Sequence, residues 1–183
     1  MSQVPTESIT IEALSAQDEY GATPLHILAN KRKLNLVPTN LLTEEVLLIT
    51  TKNGWNVLHV AALSGNLDQI PKHVLTLENL MTKNNVGCSV LRKAASCSYF
   101  HQIPKDILTP ECLFDSTKFG STVLELLVKN NTLDLLLGIR MLDEAKPIVG
   151  EAWWELNTRA LEELQRATPT TLKDIQNTID LDL

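Results

Sequence analysis

The residues that could carry out acid–base chemistry lie at regular positions along the chain. Three glutamates recur as Glu45, Glu78 and Glu111, and two histidines, His73 and His101, lie in the intervals between them. Carboxylate and imidazole are the usual general acids and bases of hydrolases, so a hydrolase using Glu45, Glu78, His73 and His101 is the enzymatic hypothesis. No nucleophile elbow or glycine-rich phosphate loop frames these residues, and we therefore expect the chain not to be an enzyme.

The cysteines do not predict a metal site. Cys88, Cys97 and Cys112 contain no CxxC pair, and their separations do not match those of zinc ligands. Their odd number also argues against a disulfide framework, so we expect reduced thiols that pack as small hydrophobic side chains. His73 and His101 have no partner at ligand spacing. We expect neither a metal nor another cofactor.

The elements that must position any site recur along the chain with a fixed period. Gly21, Gly54, Gly87 and Gly120 stand 33 residues apart and open the phrases GATPLHILA, GWNVLHVAA, GCSVLRKAA and GSTVLELLV. Self-similarity at a constant spacing of this length indicates a repeat architecture. A chain built from one repeated unit usually works through its exposed surface.

A second signature recurs in the other half of each unit. A proline is followed by the phrase Thr-x-Glu-x-Leu, whose threonines are Thr43, Thr76 and Thr109, and the same phrase occurs upstream of the first glycine, beginning at Thr10. Threonine is a common N-cap, and the helix dipole favours a glutamate in the first turn. We therefore interpret the repeated glutamates as capping residues of short helices.

The first half of each unit has the pattern of a longer helix. Thr23 is a suitable N-cap and Pro24 fits the first helical position. Leu58, Ala61 and Ala62 define one buried face, while Gly65 is expected as a left-handed C-cap. In the second half the proline removes a backbone donor, so a short or interrupted helix is predicted there. The fold class is all-α.

The chain resembles the ankyrin-repeat family. The segment 21–26 matches the opening G-x-T-P-L-H, and the segment 54–67 matches G-x-T-P-L-H-x-A-A-x-x-G-x-L except at Asn56 and Val57. The match is to a divergent variant similar to bacterial or phage-encoded arrays. The resemblance implies an α-solenoid in which His26 and His59 bond the backbone between units. It also implies that partners contact the loop tips and the inner face of the first helices.

Two departures from the family pattern concern the histidine and the second helix. Arg92 and Glu125 stand where the third and fourth units would carry histidine, and I-P-x-x-x-L-T-x-E-x-L replaces a leucine-rich helix. We expect the stacking of units to survive both changes, whereas the shape of the second helix and of the convex face is altered.

The domain organisation is a repeat array followed by a different C-terminal segment. Residues 8–137 are expected to form a half unit plus about four ankyrin-like repeats. Residues 138–183 are expected to form a C-terminal helical cap with an acidic tail. An alternative is that this tail reaches a partner itself, with Trp153 and Trp154 as its anchor.

Composition excludes several classes of partner. Residues 1–142 carry 12 basic and 13 acidic side chains, and residues 143–183 carry 4 and 9. Without a basic stripe, nucleic-acid binding is not expected. No apolar run is long enough to span a membrane, and the N-terminal ten residues lack the features of a secretory signal. We therefore expect a cytoplasmic protein.

The function expected from these patterns is protein–protein interaction without catalysis. The partner would be another protein, bound by the repeat loops and the concave helix face. A narrower alternative is a small inhibitor or immunity-type protein that blocks an enzyme. Self-association is a further alternative, through an apolar edge at Ile9, Ile11 and Leu14. The candidate partner-binding residues are Tyr20, Lys31, Asn53, Trp55, Ser64, Lys118, Phe119, Lys129, Trp153 and Trp154.

Overall fold

The described part of the protein is helical. The computed structural model describes residues 9–117, 120–130 and 132. Within these ranges α-helices alternate with 3₁₀ turns and loops, and the only strand-like pairing is an isolated antiparallel bridge between Lys83 and Ser89. This confirms the all-α prediction. The segment 138–183, with the predicted cap and acidic tail, lies outside the described residues.

One series of helices forms the spine of this part of the chain. Helices α2 (Pro24–Asn30), α4 (Val57–Ser64), α6 (Val90–Ser96) and α8 (Val123–Lys129) start at residues 24, 57, 90 and 123, so each start follows the previous one by 33 residues. Helix α2 packs against α4, α4 against α6 and α6 against α8. Consecutive members of the series are therefore neighbours in space as well as in sequence.

Polar residues fix the start of each helix in this series. Thr23 precedes α2 and pairs with His26 in a reciprocal capping box, as its N-cap position predicts. The side chains of Asn56, Ser89 and Thr122 each accept a hydrogen bond from the backbone N–H three residues later, at 3.0–3.1 Å. These caps satisfy N–H groups that the first helical turn leaves without intrahelical partners.

A second series consists of shorter helices. Helices α1 (Ile11–Ser15), α3 (Glu44–Leu47), α5 (Leu77–Met81) and α7 (Pro110–Leu113) begin at residues 11, 44, 77 and 110. As predicted, each of these helices carries a glutamate in its first turn. The repeated glutamates thus occupy the end of the helix where the dipole favours a negative charge.

The threonine caps of these short helices are confirmed in part. Thr10 and Thr76 accept a hydrogen bond from the backbone N–H three residues later. Thr43 and Thr109 make no such bond, so the prediction is wrong for them. The Thr43 hydroxyl is buried without a partner. The Thr109 hydroxyl instead bonds the carboxylate of Glu111, and this bond, together with the backbone N–H of Glu111, lowers the pKa of that carboxyl.

The proline-containing segments form 3₁₀ turns in place of a longer second helix. Such turns precede the prolines at Leu34–Leu36, Leu67–Gln69 and Phe100–Gln102, and two more follow them at Thr39–Leu41 and Lys105–Ile107. Proline lacks the N–H that a continuous helix would need at this point. The prediction of a short and interrupted second helix is confirmed.

The core is built from aliphatic side chains of both helix series. Leu25, Leu58, Leu91 and Leu124 occupy the same position of the four longer helices and are fully buried. The predicted buried face of α4, with its two small alanines, is also fully buried, and small side chains let neighbouring helices approach closely. Gly65 ends α4 in the left-handed conformation, with φ of 70°, as predicted.

No helix in the described part of the chain combines the length and the apolar character that crossing a membrane requires.

A pair of glycines with almost the same backbone conformation tests how closely the loops approach one another. Gly54 and Gly87 have φ of 75° and 77°. A Cβ added at Gly54 would lie 2.8 Å from the backbone nitrogen of Asn85, whereas a Cβ at Gly87 would meet no atom of the described residues within 4 Å. Within the described part of the chain, Gly87→Ala therefore carries the conformational cost without a steric clash, about 1 kcal/mol of unfolding free energy.

We predict that Gly54→Ala destabilises the protein by at least about 1 kcal/mol more than Gly87→Ala, because the loops must also move apart. Urea unfolding of both variants, analysed with a common m-value, measures the difference in their unfolding free energies. Equal losses would contradict the close loop approach.

Candidate functional site

Consecutive loops before the longer helices are joined by hydrogen bonds. The backbone N–H of Lys52 donates to the carbonyl of Tyr20 at 2.9 Å, and that of Asn85 donates to the carbonyl of Asn53 at 3.1 Å. The Asn85 side-chain amide also donates to the Lys52 carbonyl at 2.9 Å. Each loop therefore uses its backbone to hold the next loop at a fixed distance.

Side chains also fix each loop internally. The Asp18 carboxylate accepts hydrogen bonds from the N–H groups of Tyr20 and Ala22 at 2.9 and 2.8 Å. The equivalent residue of a later loop, Asn84, accepts from Val86 and Cys88 in the same way. Asp and Asn commonly stabilise tight turns by bonding the backbone two residues on. The loop tips are consequently ordered by their own side chains.

The two histidines of the helix openings link one loop to the next. His26 Nε2 donates to the carbonyl of Trp55 at 3.0 Å, while its Nδ1 accepts from the Thr23 N–H at 3.1 Å. His59 Nε2 donates to the carbonyl of Cys88 at 3.1 Å. In both cases the acceptor lies 29 residues further along the chain. The expected backbone-bonding role of His26 and His59 is therefore confirmed.

Arg92 makes the corresponding bond where the third unit lacks histidine. Its Nε donates to the carbonyl of Ser121 at 3.0 Å, again 29 residues further along. Glu125 occupies the same position of α8 and has no hydrogen to donate from an ionised carboxylate. It accepts instead from the Thr122 N–H at 2.9 Å. The departure at Arg92 thus preserves the link, and the departure at Glu125 replaces it with a local cap.

An apolar groove of about 550 Å³ lies between the first two loops and helices α2 and α4. Its most exposed large side chains are Tyr20, Ile27 and Leu63, with 67%, 57% and 43% of their surface accessible. Trp55 and Val60 are half-buried in its wall. The groove is lined by Tyr20, Ala22, His26, Ile27, Asn30, Thr51, Asn53, Trp55, Val60 and Leu63.

Trp55 is held in place by contacts from several directions. Its backbone N–H donates to the Thr51 hydroxyl at 3.2 Å, and its backbone carbonyl accepts the bond from His26. The Lys93 ammonium lies 5.2 Å from the centre of the indole ring, and the His59 ring lies 5.7 Å away at an angle of 52°. A cation over an indole face is a favourable arrangement. The ring is therefore positioned before any partner arrives.

A second concave surface, the basic cavity, adjoins α6 and has a volume of about 840 Å³. Lys83, Arg92 and Lys93 line it, and none of the described residues that line it is acidic. One of these cations is paired with a carboxylate: the Lys83 ammonium lies 2.7 Å from the buried side chain of Asp115. Asp115 also accepts a hydrogen bond from the Ser89 hydroxyl.

The predicted binding residues fall into three groups. Tyr20, Asn53 and Trp55 line the apolar groove. Lys31, Ser64 and Lys129 lie at or next to the C-terminal ends of helices α2, α4 and α8 and line neither cavity. The remaining four lie outside the described residues: Lys118, Phe119, Trp153 and Trp154. The binding role of all ten stays a prediction.

The sequence interpretation missed Ile27, Val60 and Lys93, which occupy the same position of α2, α4 and α6, six residues after each glycine. This position is one helical turn before Asn30 and Leu63, so helical spacing places it on the same inner face. Its variation between aliphatic and basic residues is the signal that would have identified it.

It also missed two glutamines that join units on the side of the 3₁₀ turns. Gln102 accepts from the Leu67 N–H at 2.9 Å and donates to the Gly65 carbonyl at 3.0 Å. Gln69 makes a similar pair of bonds to the preceding unit, accepting from the Asn35 N–H at 3.2 Å and donating to the Arg32 carbonyl at 3.4 Å. Their recurrence at the 33-residue period was visible in the sequence.

The residues of the enzymatic hypothesis are exposed on separate short helices and turns. Glu45 and Glu78 lie in the first turns of α3 and α5, and His73 and His101 are also exposed. Among the described residues, no three histidine, cysteine or acidic side chains are grouped so as to hold a metal ion. Burial raises the pKa of the Cys112 thiol to about 11, so this thiol stays protonated and unreactive at neutral pH.

No protein-family model matches the chain, and no curated protein sequence matches it significantly.

The buried histidines predict a loss of stability on mild acidification. Burial lowers the pKa of His59 below its ordinary value of 6.5, although the Cys88 carbonyl opposes this effect. The unfolded chain therefore binds a proton more readily than the folded protein. Stability is complete above about pH 6.5 and falls as the pH decreases towards the lower pKa of the folded state.

We predict that His59→Gln weakens this dependence, whereas His73→Gln, at an exposed histidine, leaves it unchanged. The measurement is the free energy of urea unfolding at about pH 7.5 and about pH 5.5. An identical loss of stability in wild type and His59→Gln would show that His59 is not the buried group responsible.

Proposed function

We propose that this chain is an ankyrin-like repeat stack, an α-solenoid of the family that its opening phrases resemble. Two features of the described residues support the proposal. Both helix series advance by 33 residues, and the three links from residues 26, 59 and 92 each reach a carbonyl 29 residues ahead. Equal separations along the sequence with equivalent contacts in space are what a one-dimensional stack of units requires.

We further propose that the stack is a non-enzymatic module that binds another protein through the apolar groove. The observation that carries this proposal is the clustering of exposed apolar side chains. Six large apolar side chains are exposed among the described residues, and three of them, Tyr20, Ile27 and Leu63, line the same groove. Contiguous exposed apolar surface is unfavourable in water, and in soluble proteins it often marks an interaction site.

The rigidity of the surrounding loops favours binding by complementary contact. Tyr20 and Asn53 lie on loops that are bonded to the following loop. The backbone N–H and carbonyl of Trp55 are both hydrogen-bonded, and Lys93 contacts its ring. A preorganised surface loses less conformational entropy when a partner binds. Aromatic side chains such as Tyr20 and Trp55 are also enriched among residues that dominate binding energy. No covalent step is needed.

A pair of matched double variants tests this function. We predict that Tyr20→Ala with Ile27→Ala weakens binding of the partner at least about tenfold, because two side chains at the centre of the contact are truncated. The control combines Ile11→Ala with Leu36→Ala, which removes exposed apolar side chains of 41% and 61% accessibility outside the groove. The control should bind as the wild type does.

The measurement is affinity capture from a lysate of the source, quantified by mass spectrometry for wild type and both double variants. A protein that is captured by wild type and by the control, but lost with the groove variant, is the partner. Capture that is equal in all three would contradict a binding role for the groove. The inhibitor hypothesis applies if that partner is an enzyme whose activity falls when the two proteins are mixed.

A further inference from the structure

The apolar groove and the basic cavity meet at a single contact. Trp55 lines the groove, Lys93 lines the cavity, and the Lys93 ammonium lies 5.2 Å from the centre of the Trp55 ring. A bound segment that leaves the groove past Trp55 therefore comes next to Lys93. The two concave surfaces can be occupied by one continuous stretch of a partner.

The basic cavity carries positive charge that its own acids do not neutralise. Lys83 is paired with Asp115, and the Arg92 Nε is used by the Ser121 carbonyl. The ammonium of Lys93 faces the indole ring of Trp55, which carries no charge to neutralise it. Among the described residues, three cations against one carboxylate leave a local excess of two positive charges, in a chain whose formal net charge is −6. The sign of this surface is therefore opposite to that of the whole molecule.

Asn84 also lines this cavity. The residue is 5% exposed, and its side-chain oxygen is used by the N–H groups of Val86 and Cys88. Its side-chain nitrogen is buried and has no hydrogen-bond partner. This nitrogen does not reach the cavity surface, so the preference for carboxylates rests on the excess cations alone.

We propose that the groove and the cavity together bind a segment of the partner in which an apolar anchor is followed by carboxylate side chains. The inference rests on the proposed function and names the chemistry of its partner. The anchor fills the surface formed by Tyr20, Ile27 and Leu63, and the carboxylates face Lys93 and Arg92 beyond Trp55. The charges contribute mainly to the choice of partner and to the rate of association, while the anchor supplies most of the affinity.

Selection from a phage-displayed library of random peptides tests this inference without knowledge of the partner. The bait is the full chain, as wild type, as Lys93→Met and as the control Lys72→Met. Lys93→Met keeps the aliphatic stem and removes the charge, while Lys72 is exposed and lines neither cavity. We expect wild type and Lys72→Met to enrich peptides in which Asp or Glu follows a large apolar residue. Lys93→Met should lose this acidic excess.

A synthetic peptide from the selection, labelled with fluorescein, gives the quantitative test by anisotropy. Its affinity for the wild type should fall as salt is added and should fall about two- to fivefold when its carboxylates are changed to amides (Glu→Gln, Asp→Asn). The amide peptide requires no protein variant, so this measurement holds even if Lys93→Met folds poorly.

The outcomes separate this inference from the proposed function. Peptides that lose affinity with the Tyr20→Ala, Ile27→Ala variant but show no acidic preference would overturn the inference and leave the groove as a binding site. An acidic preference that persists in Lys93→Met would also overturn it. If no selected peptide depends on Tyr20 and Ile27, the inference and the proposed function both fail.

Discussion

The hydrogen bond from each helix opening to the carbonyl of the following loop is the interaction on which the other features depend. His26, His59 and Arg92 each sit in the first turn of a helix and donate to a carbonyl 29 residues ahead. Because the donor is anchored in a helix and the acceptor lies in a loop, the bond transfers the position of one unit to the next. The histidines must be neutral to remain buried, which connects this link to pH.

The same links create the candidate site. The bond to its carbonyl fixes the position of Trp55. This residue lines the apolar groove, and its ring contacts Lys93 of the basic cavity. Lys93 then covers the ring from the next helix, and the bonded loop carries Tyr20 to the edge of the groove. The candidate site combines residues of consecutive units, so no single unit contains it. For this reason it lies between the loops. On the proposed function, stability and binding depend on the same contacts, so we expect substitutions at Trp55 to affect both.

The recurring features of the fold could be predicted because they depend on local chemistry. The helix start at Thr23, the left-handed end at Gly65 and the first-turn glutamates follow from capping and backbone preferences that a few neighbouring residues determine. Thr43 and Thr109 depart from the same rules, and only the folded geometry reveals this. Local rules state which bond a side chain can make, whereas its surroundings decide whether it makes that bond.

The candidate site was predictable only in part, for a related reason. Periodicity identifies the positions that units share, but the groove and the cavity depend on the positions that differ, such as Ile27 and Lys93. The loop aromatics Tyr20 and Trp55 could be recognised as unusual residues at loop tips. The contact between Trp55 and Lys93 joins residues of different units, so the sequence alone contains no spacing rule for it.

Site-specific photo-crosslinking tests the central claim most directly. Benzoylphenylalanine would be incorporated in place of Leu63, inside the groove, and in a separate protein in place of Leu36, which is exposed outside it. After irradiation in a lysate of the source, the account predicts a discrete covalent adduct with one protein at position 63 and none with that protein at position 36. Adducts of the same protein at both positions, or at position 36 alone, would contradict binding through the groove.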